Sequence, residues 1–321
     1  MKFSNKVLIV GCGAIASSFH LPALQKFIKN ENIFLYDINL NSANRLGEQF
    51  GIKNIVTNLE DSFQSIDSAI LAVPYQHSFE LIKKLLLNGI NVLGEKPIAS
   101  STSELDELIK ISEKNNLVFC GNHTRRFFPS VVKLKQLLSN KNIKEINIYE
   151  GDPFSWNSSS GFYFEGKNGV LMDRGPHLIN VINYLTNNVE LNPISFTHNS
   201  DKKSPESHCK ISLSSESFKI NIIISWIYKM SNQIEIITDD ETFNVGISSF
   251  NFISVQKGNK IKNITAKPIL TQFNQLSFTV IKSYLMQIKS GESNSVLAQD
   301  IRQSVDLIQK LYSIGAHFDK K

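Results

Sequence analysis

The chain has 321 residues, 41% hydrophobic and 20% charged, which is enough apolar sequence for real cores and a length that suits about two domains. Its 34 basic and 29 acidic residues leave a net charge of +5, with lysines scattered rather than massed, and this excludes nucleic acid as the main partner. Cys12, Cys120 and Cys209 are odd in number and lack metal-ligand spacing, and the N-terminal apolar run is too short for a signal peptide or membrane span. The expectation is a cytoplasmic protein with no structural metal and no membrane partner.

Val7 to Val10 is a continuous β-branched and apolar run, the signature of a parallel strand buried on both faces. Gly11 follows for a tight turn, Gly13 lets backbone approach a bulky anion, and Ala16 is small enough for the next helix to pack on a sheet. That helix, expected from Ala14 to Phe27, opens with Ala14 and Ile15, whose N–H groups would face a pyrophosphate. Asn32–Asp37 then reads as a second strand ending in a carboxylate, the spacing a dinucleotide-binding unit requires. Strands follow at Ile52–Val56, Asp67–Val73, Asn91–Leu93 and Leu117–Cys120. Helices lie between them at Ser42–Phe50, His77–Asn88 and Ser103–Asn115, the last with Ser103 as its expected N-cap. This alternation predicts a doubly wound parallel sheet over residues 1–121.

Beyond residue 121 the pattern changes. A helix is expected at Pro129–Ser139, then strands at Glu145–Glu150, Pro193–His198, His208–Leu213, Phe218–Trp226, Gln233–Thr238, Thr242–Val245 and Phe252–Gln256. Asp239-Asp240 fits a hairpin turn, and helices near Asn274–Lys289 and Ala298–Tyr312 close the chain. Strands in succession predict an open, mostly antiparallel sheet in an α/β domain spanning 122–321. An exposed sheet face of this kind favours a homodimer or homotetramer.

Two constellations carry chemistry. At the carboxyl ends of the first sheet stand the glycine turn, the Pro74-Tyr75-Gln76-His77 corner and Glu95-Lys96-Pro97. Lys96 reads either as a hydrogen-bond donor to a reacting oxygen or as a solvated strand cap. Asp173 and His177 lie four apart at the start of an apolar helix-forming stretch. A carboxylate beside an imidazole suits a base working near neutral pH, although Asp173 as a helix cap and His177 as a packed core residue fit the same spacing.

Gly11-x-Gly13-x-x-Ala16 with His20-Leu21-Pro22, Pro74-x-x-His77, Glu95-Lys96-Pro97, Arg126-Phe127-x-Pro129 and Asp173-x-Gly175-x-His177 occur in this order. Together they resemble the glucose-fructose oxidoreductase / inositol dehydrogenase / rhizopine-catabolism (Gfo/Idh/MocA) family of NAD(P)-dependent sugar oxidoreductases. The closing segment from Ala298 is similar to that family's terminal helix. The resemblance implies a Rossmann domain followed by an open-sheet domain. It makes Lys96, Asp173 and His177 the catalytic set: His177 the base for a substrate hydroxyl, Asp173 its orienting group, Lys96 the donor to the reacting oxygen. The cofactor contacts it implies are Gly11, Gly13, Ala14, Ile15, Asp37, Pro74, His77, Glu95 and Lys96. The substrate, a sugar, sugar derivative or cyclitol, would meet Lys96, Arg126, Trp156, Asp173, Arg174 and His177. A cis bond before Pro97 is a further expectation.

The chain departs from the family pattern at three points. The glycine run before Asp173 is thinned to Asn168-Gly169-Val170, Asn180 stands where an acid is common, and Arg174 replaces an apolar residue. Arg174, with Arg125 or Arg126, is read as facing a substrate carboxylate or phosphate, against the alternative of a structural salt bridge. Phe154-Ser155-Trp156 and Phe162-Tyr163 supply aromatic faces for sugar stacking or for packing. Asp37 bonds ribose hydroxyls and repels a 2′-phosphate, so NAD is expected over NADP. Two other readings are a redox-neutral glycoside cleavage or elimination that uses the cofactor transiently, and a non-catalytic dinucleotide-binding sensor. Net NADH formation separates the first from oxidation, and an intact Lys96, Asp173 and His177 argues against the second.

Overall fold

A computed structural model of the chain describes residues 3–153, 169–200, 205–247, 250–292 and 295–317. The chain forms two compact units, Met1–Thr124 with Thr271–Arg302, and Arg125–Leu270 with Gln303–Lys321. The return of Thr271–Arg302 to the first unit was not part of the sequence expectation, which ran the second domain unbroken from 122 to 321.

In the first unit, β1 (Val7–Val10), β2 (Ile33–Tyr36), β3 (Asn54–Val56), β4 (Ser68–Leu71), β5 (Asn91–Gly94) and β6 (Phe119–Gly121) form a sheet of order β3-β2-β1-β4-β5-β6. Every neighbouring pair is parallel, as expected. Parallel neighbours need crossovers, which come with α1 (Leu21–Phe27), α2 (Leu40–Phe50), α3 (Tyr75–Leu87) and α4 (Thr102–Lys114). All four residues of β1 and of β4 are buried, the consequence of cover on both faces. The order reverses between β1 and β4, so their carboxyl ends flank the crevice where such sheets bind ligands.

Two local details go beyond or against expectation. The first helix runs from Ala14 to Phe27 as expected but widens within: Ala16–His20 is a five-residue π-helical turn, with Leu21 N–H bonded to the Ala16 carbonyl. Pro22 brings no N–H to the next rung, and the wider turn leaves His20 buried. The N-cap of α4 is Ser101 rather than Ser103, because Ser101 has an extended backbone and its hydroxyl accepts the Glu104 N–H at 3.2 Å. Glu104 in turn accepts the Ser100 N–H at 2.8 Å, a variant of the reciprocal cap.

The second unit begins with α5 (Pro129–Leu137), then β7 (Ile143–Gly151) and α6 (Val170–Leu185). β8 (Asn192–His198), β9 (His208–Ser214), β10 (Lys219–Ser225), β11 (Gln233–Thr238), β12 (Thr242–Gly246), β13 (Phe252–Lys257) and β14 (Lys260–Thr265) follow. After α7 (Asn274–Ser290), which belongs to the first unit, and α8 (Ala298–Ile314) comes the short β15 (Ala316–His317). Among the described residues the sheet order is β14-β13-β12-β11-β7-β10-β9-β8-β15. Its pairs are antiparallel except β7–β10 and β8–β15, so the expectation of a mostly antiparallel sheet holds. Alternate residues Ile146 and Ile148, Ile220, Ile222 and Ile224, Ile234 and Ile236 are buried, and α5 and α6 pack on this unit's strands. β14 escaped the sequence reading because almost all of it is exposed and carries no burial alternation.

The intervening positions form a polar row. Ser212, Asn221, Asn147, Glu235, Asn244, Ser254 and Asn263 are register partners across seven successive strands. Asn221 Nδ2 donates to Asn147 Oδ1 at 3.0 Å and Asn147 Nδ2 to Glu235 Oε2 at 3.1 Å. Cross-strand pairs of this sort stabilise a sheet without burying apolar surface.

Candidate functional site

The glycine turn after β1 is shaped by contact as well as by conformation. Gly11 has φ +93°, and a Cβ there would lie 2.5 Å from the Ala72 carbonyl oxygen after β4, so no side chain fits. A Cβ on Gly13 would meet nothing within 4 Å, so the backbone is open to a close-lying ligand. Asp37 follows β2 directly, and its carboxylate is held from two sides: Cys12 N–H donates to Oδ2 at 2.7 Å and Asn39 N–H to Oδ1 at 2.8 Å. The acid is thereby locked to the glycine turn while its oxygens keep lone pairs for ribose hydroxyls. Ile15 is 44% exposed on the first helical turn after it. These residues fit a dinucleotide: open backbone at Gly13, unspent N–H groups where the helix starts, and a fixed carboxylate. Burial, reinforced by the Asp37 charge, pushes the Cys12 thiol up to about 12, so Cys12 is no nucleophile at neutral pH.

Two further expected segments lie at the same edge of the first sheet. Pro74 caps α3, and Tyr75 to His77 form its first turn, where a loop corner had been expected; His77 is exposed. Glu95 and Lys96 follow β5, and the Lys96–Pro97 peptide is cis. Glu95 Oε1 accepts from Asn122 Nδ2 at 2.6 Å and lies 2.7 Å from Nε2 of buried His20. Burial alone would raise the Glu95 carboxyl, but the His20 and Asn122 hydrogen bonds and the Lys96 charge outweigh it and hold the pKa below the ordinary value. An ionised Glu95 makes His20 Nε2 the donor. Lys96 itself is half-buried.

In the second unit, α6 carries Asp173, Arg174 and His177 on its first two turns. From Val170 to Asn183 every residue is buried except Met172, Asp173, Arg174 and His177, so solvent reaches this helix through one polar window. Asp173 is not the N-cap: Gly169 occupies that place, and the Asp173 N–H bonds to the Gly169 carbonyl at 3.1 Å. The Asp173 carboxylate instead receives Trp226 Nε1–H at 3.2 Å. Glu206 tethers the helix start. Its carbonyl accepts the Val170 N–H at 2.7 Å, and its Oε1 accepts the Leu171 N–H at 3.3 Å and the Tyr312 hydroxyl at 2.7 Å. A Cβ on Gly169 would come within 2.0 Å of the Glu206 carboxyl carbon, which explains the one glycine retained in the thinned run.

Arg125 grips Glu150 with two hydrogen bonds of 2.6 and 2.7 Å, and Arg174 Nη1 stands 3.4 Å from the same carboxylate. Arg126 lies over the Tyr184 ring, 4.8 Å from its centroid. Trp156, with Phe154, Phe162 and Tyr163, lies outside the described residues.

Residues 5–123 match the pattern of GFO_IDH_MocA, the oxidoreductase family with an NAD-binding Rossmann fold. Over that segment, which is the first unit up to the end of its sheet, the chain is similar to this family. Oxidoreductase P35 of Formosa agariphila is 25% identical to the chain over 204 residues, 57% of this chain and 60% of that protein. The chain spans about half the length of the curated relatives it matches, between 36% and 60% for the first three. Two solved structures share the fold over nearly the whole chain. KijD10, a 3-ketoreductase from Actinomadura kijaniata in complex with NADP and TDP-benzene, has a TM-score of 0.81 at 15% identity and covers 97% of this chain and 98% of its own. An oxidoreductase from Agrobacterium radiobacter in complex with NAD+, L-tartaric acid and magnesium has a TM-score of 0.84 at 16% identity, with coverage of 97% and 96%.

The residues that sequence reasoning passed over are those that hold others in place: Asn122, Glu150, Glu206, Trp226 and Tyr312. Trp226 is one of two tryptophans in the chain, and Glu150 is an acid in an otherwise buried strand end, two weak signals. Glu206 and Tyr312 are far apart in sequence and carry none. Among the described residues no cluster of His, Cys, Asp and Glu could hold a metal, and no helix is long and apolar enough to cross a membrane.

Proposed function

We propose that the chain is an NAD-dependent oxidoreductase acting on a hydroxyl or keto carbon of a sugar, sugar derivative or cyclitol. The observation that carries this reading is the window on α6, where an otherwise buried helix leaves Asp173, Arg174 and His177 together only half-buried. NAD, when bound, supplies the hydride chemistry.

The His177 imidazole takes the proton of the substrate hydroxyl, the role of a general base. Asp173, anchored by Trp226, orients that imidazole or a neighbouring substrate hydroxyl and favours the imidazolium formed on proton transfer. The Lys96 ammonium donates to the reacting oxygen and stabilises its developing negative charge. Gly11, Gly13, Ala14 and Ile15 receive the pyrophosphate, Asp37 the ribose hydroxyls, and Pro74, His77 and Glu95 border the nicotinamide half. The fixed Asp37 carboxylate repels a 2′-phosphate and so supports NAD over NADP. Arg126 stacked on Tyr184 is a basic wall for the substrate.

A panel of free sugars, inositols, uronic acids and nucleotide sugars, read by the absorbance of the reduced nicotinamide, tests the activity. Lys96→Met and His177→Ala are expected to lower kcat by about 10²- to 10⁴-fold with NADH binding retained. Undiminished turnover in either variant overturns the roles given, and equal or better activity with NADP overturns the cofactor preference.

A further inference from the structure

Two arginines meet one carboxylate in the second unit, and they meet it differently. Arg125 presents its planar fork to both oxygens of Glu150 at 2.6 and 2.7 Å, the geometry of a finished structural pair. Arg174 approaches Glu150 Oε1 only to 3.4 Å, beyond normal hydrogen-bond length, and donates no hydrogen bond to any described residue. Yet the Arg174 side chain is only 13% exposed and that of Glu150 only 8%. A guanidinium carries five N–H donors, and withdrawing it from water with those donors unspent is costly. Glu150 is shared between two cations and already saturated by one of them. Asp173, beside Arg174 in sequence, gives Oδ2 to Trp226.

We propose that Arg174 is a specificity-determining residue of the α6 window and recognises an oxyanion, carboxylate or phosphate, on the substrate. This inference rests on the proposed activity for the word substrate, though not for the anion site itself. Glu150, clamped by Arg125, aims the Arg174 guanidinium by charge without consuming its donors. The fork is then available to a planar carboxylate or to phosphate oxygens, the partners its geometry matches. Arg174 and His177 are three apart on one helix, so their Cβ atoms are neighbours at roughly 5–6 Å. An anion held by Arg174 therefore lies within one sugar's length of the imidazole.

Calorimetric titration of D-glucose, D-glucuronate, D-glucose 6-phosphate and inorganic phosphate into wild type and Arg174→Met, each saturated with NAD, tests the site. Wild type is expected to bind at least one acidic sugar about 10- to 100-fold more tightly than glucose, and Arg174→Met to lose most of that ratio. Preference for glucuronate identifies the oxyanion as carboxylate; preference for the phosphorylated sugar, with phosphate itself binding, identifies phosphate. Arg174→Lys keeps the charge without the fork and is expected to retain an intermediate ratio, which also covers the case in which Arg174→Met fails to fold. No acidic preference in wild type, or an unchanged ratio in both variants, overturns the inference. Turnover is scored separately. Arg174-dependent anion binding with no turnover of any sugar overturns the proposed activity alone, whereas turnover of neutral sugars without an Arg174-dependent acidic preference overturns the anion site alone.

Discussion

The two units solve the same problem, presenting polar chemistry on a buried sheet, in opposite ways. In the first, strands are covered on both faces, so chemistry is confined to the carboxyl ends and is carried largely by backbone: Gly11 against Ala72, Cys12 N–H on Asp37. In the second, the apolar side of the sheet packs on α5 and α6, and the candidate side chains stand on α6 itself, beside strand-end residues Glu150 and Trp226 and with the helix start tied to Glu206 just before β9. Backbone devices tolerate almost no substitution, because a Cβ has nowhere to go. Side-chain devices should degrade gradually, because each support is one hydrogen bond among several.

Gly11→Val is the sharpest way to break that contrast. It combines a positive φ with a contact at 2.5 Å to backbone, and a loss of about 3 kcal/mol or more in stability, with loss of NADH binding, is expected. Denaturant unfolding and NADH fluorescence titration would read it; near-native values would remove the argument for a built turn.

Glu206 comes next. Glu206→Ala strips acceptors from the Leu171 N–H and the Tyr312 hydroxyl, and a loss of about 1–3 kcal/mol is expected in thermal or denaturant melts. Glu206→Gln keeps an acceptor oxygen and should lose far less. Burial raises the Glu206 pKa, only partly offset by the Tyr312 hydrogen bond. The folded state therefore resists ionising it, and stability on this account is full below the ordinary carboxylate range and declines as pH rises through it toward the folded value. Glu206→Gln should gain on wild type as pH rises from about 4 upward; parallel pH profiles would show that the carboxylate is not strained by burial.

Trp226→Phe keeps a ring and removes the donor to Asp173. A stability change of about 1 kcal/mol or less is expected, with a larger effect on kcat/KM, about 10-fold, and an altered pH–rate profile. A change in stability alone would make Trp226 a packing residue.

The smallest effect is a slope. The Glu95 pKa is lowered, so its contribution is present above the ordinary carboxylate value and is lost as pH falls through the depressed one. Glu95→Gln should flatten the acid limb of the melting-temperature profile below about pH 4, and an unchanged limb would mean the His20–Glu95–Asn122 cluster adds no charge-dependent stability.

Much of the fold was legible because local rules and tertiary outcome agree. The buried run Val7 to Val10, the glycine turn and the strand ending before Asp37 follow from composition and spacing over some thirty residues. The alternation of β9 to β13 is equally local. The departures came where local rules compete. Pro22 converts one helical turn to a wider one, Ser101 outbids Ser103 as cap, and β14 has no buried face to reveal it.

From the sequence alone came most of the elements, their period, the order of the motifs and therefore the resemblance to a family. Which groups stand unspent was decided only by the tertiary structure. Arg125 and Arg174 look alike in the chain, and both were open to the same two readings; Glu150 accepts two hydrogen bonds from the first and forms only a 3.4 Å ion pair with the second. Side-chain partners 24 to 106 residues apart, from the Glu150–Arg174 ion pair to the Glu206–Tyr312 hydrogen bond, leave no periodic trace, because a single contact fixes one side chain and imposes no pattern on its neighbours.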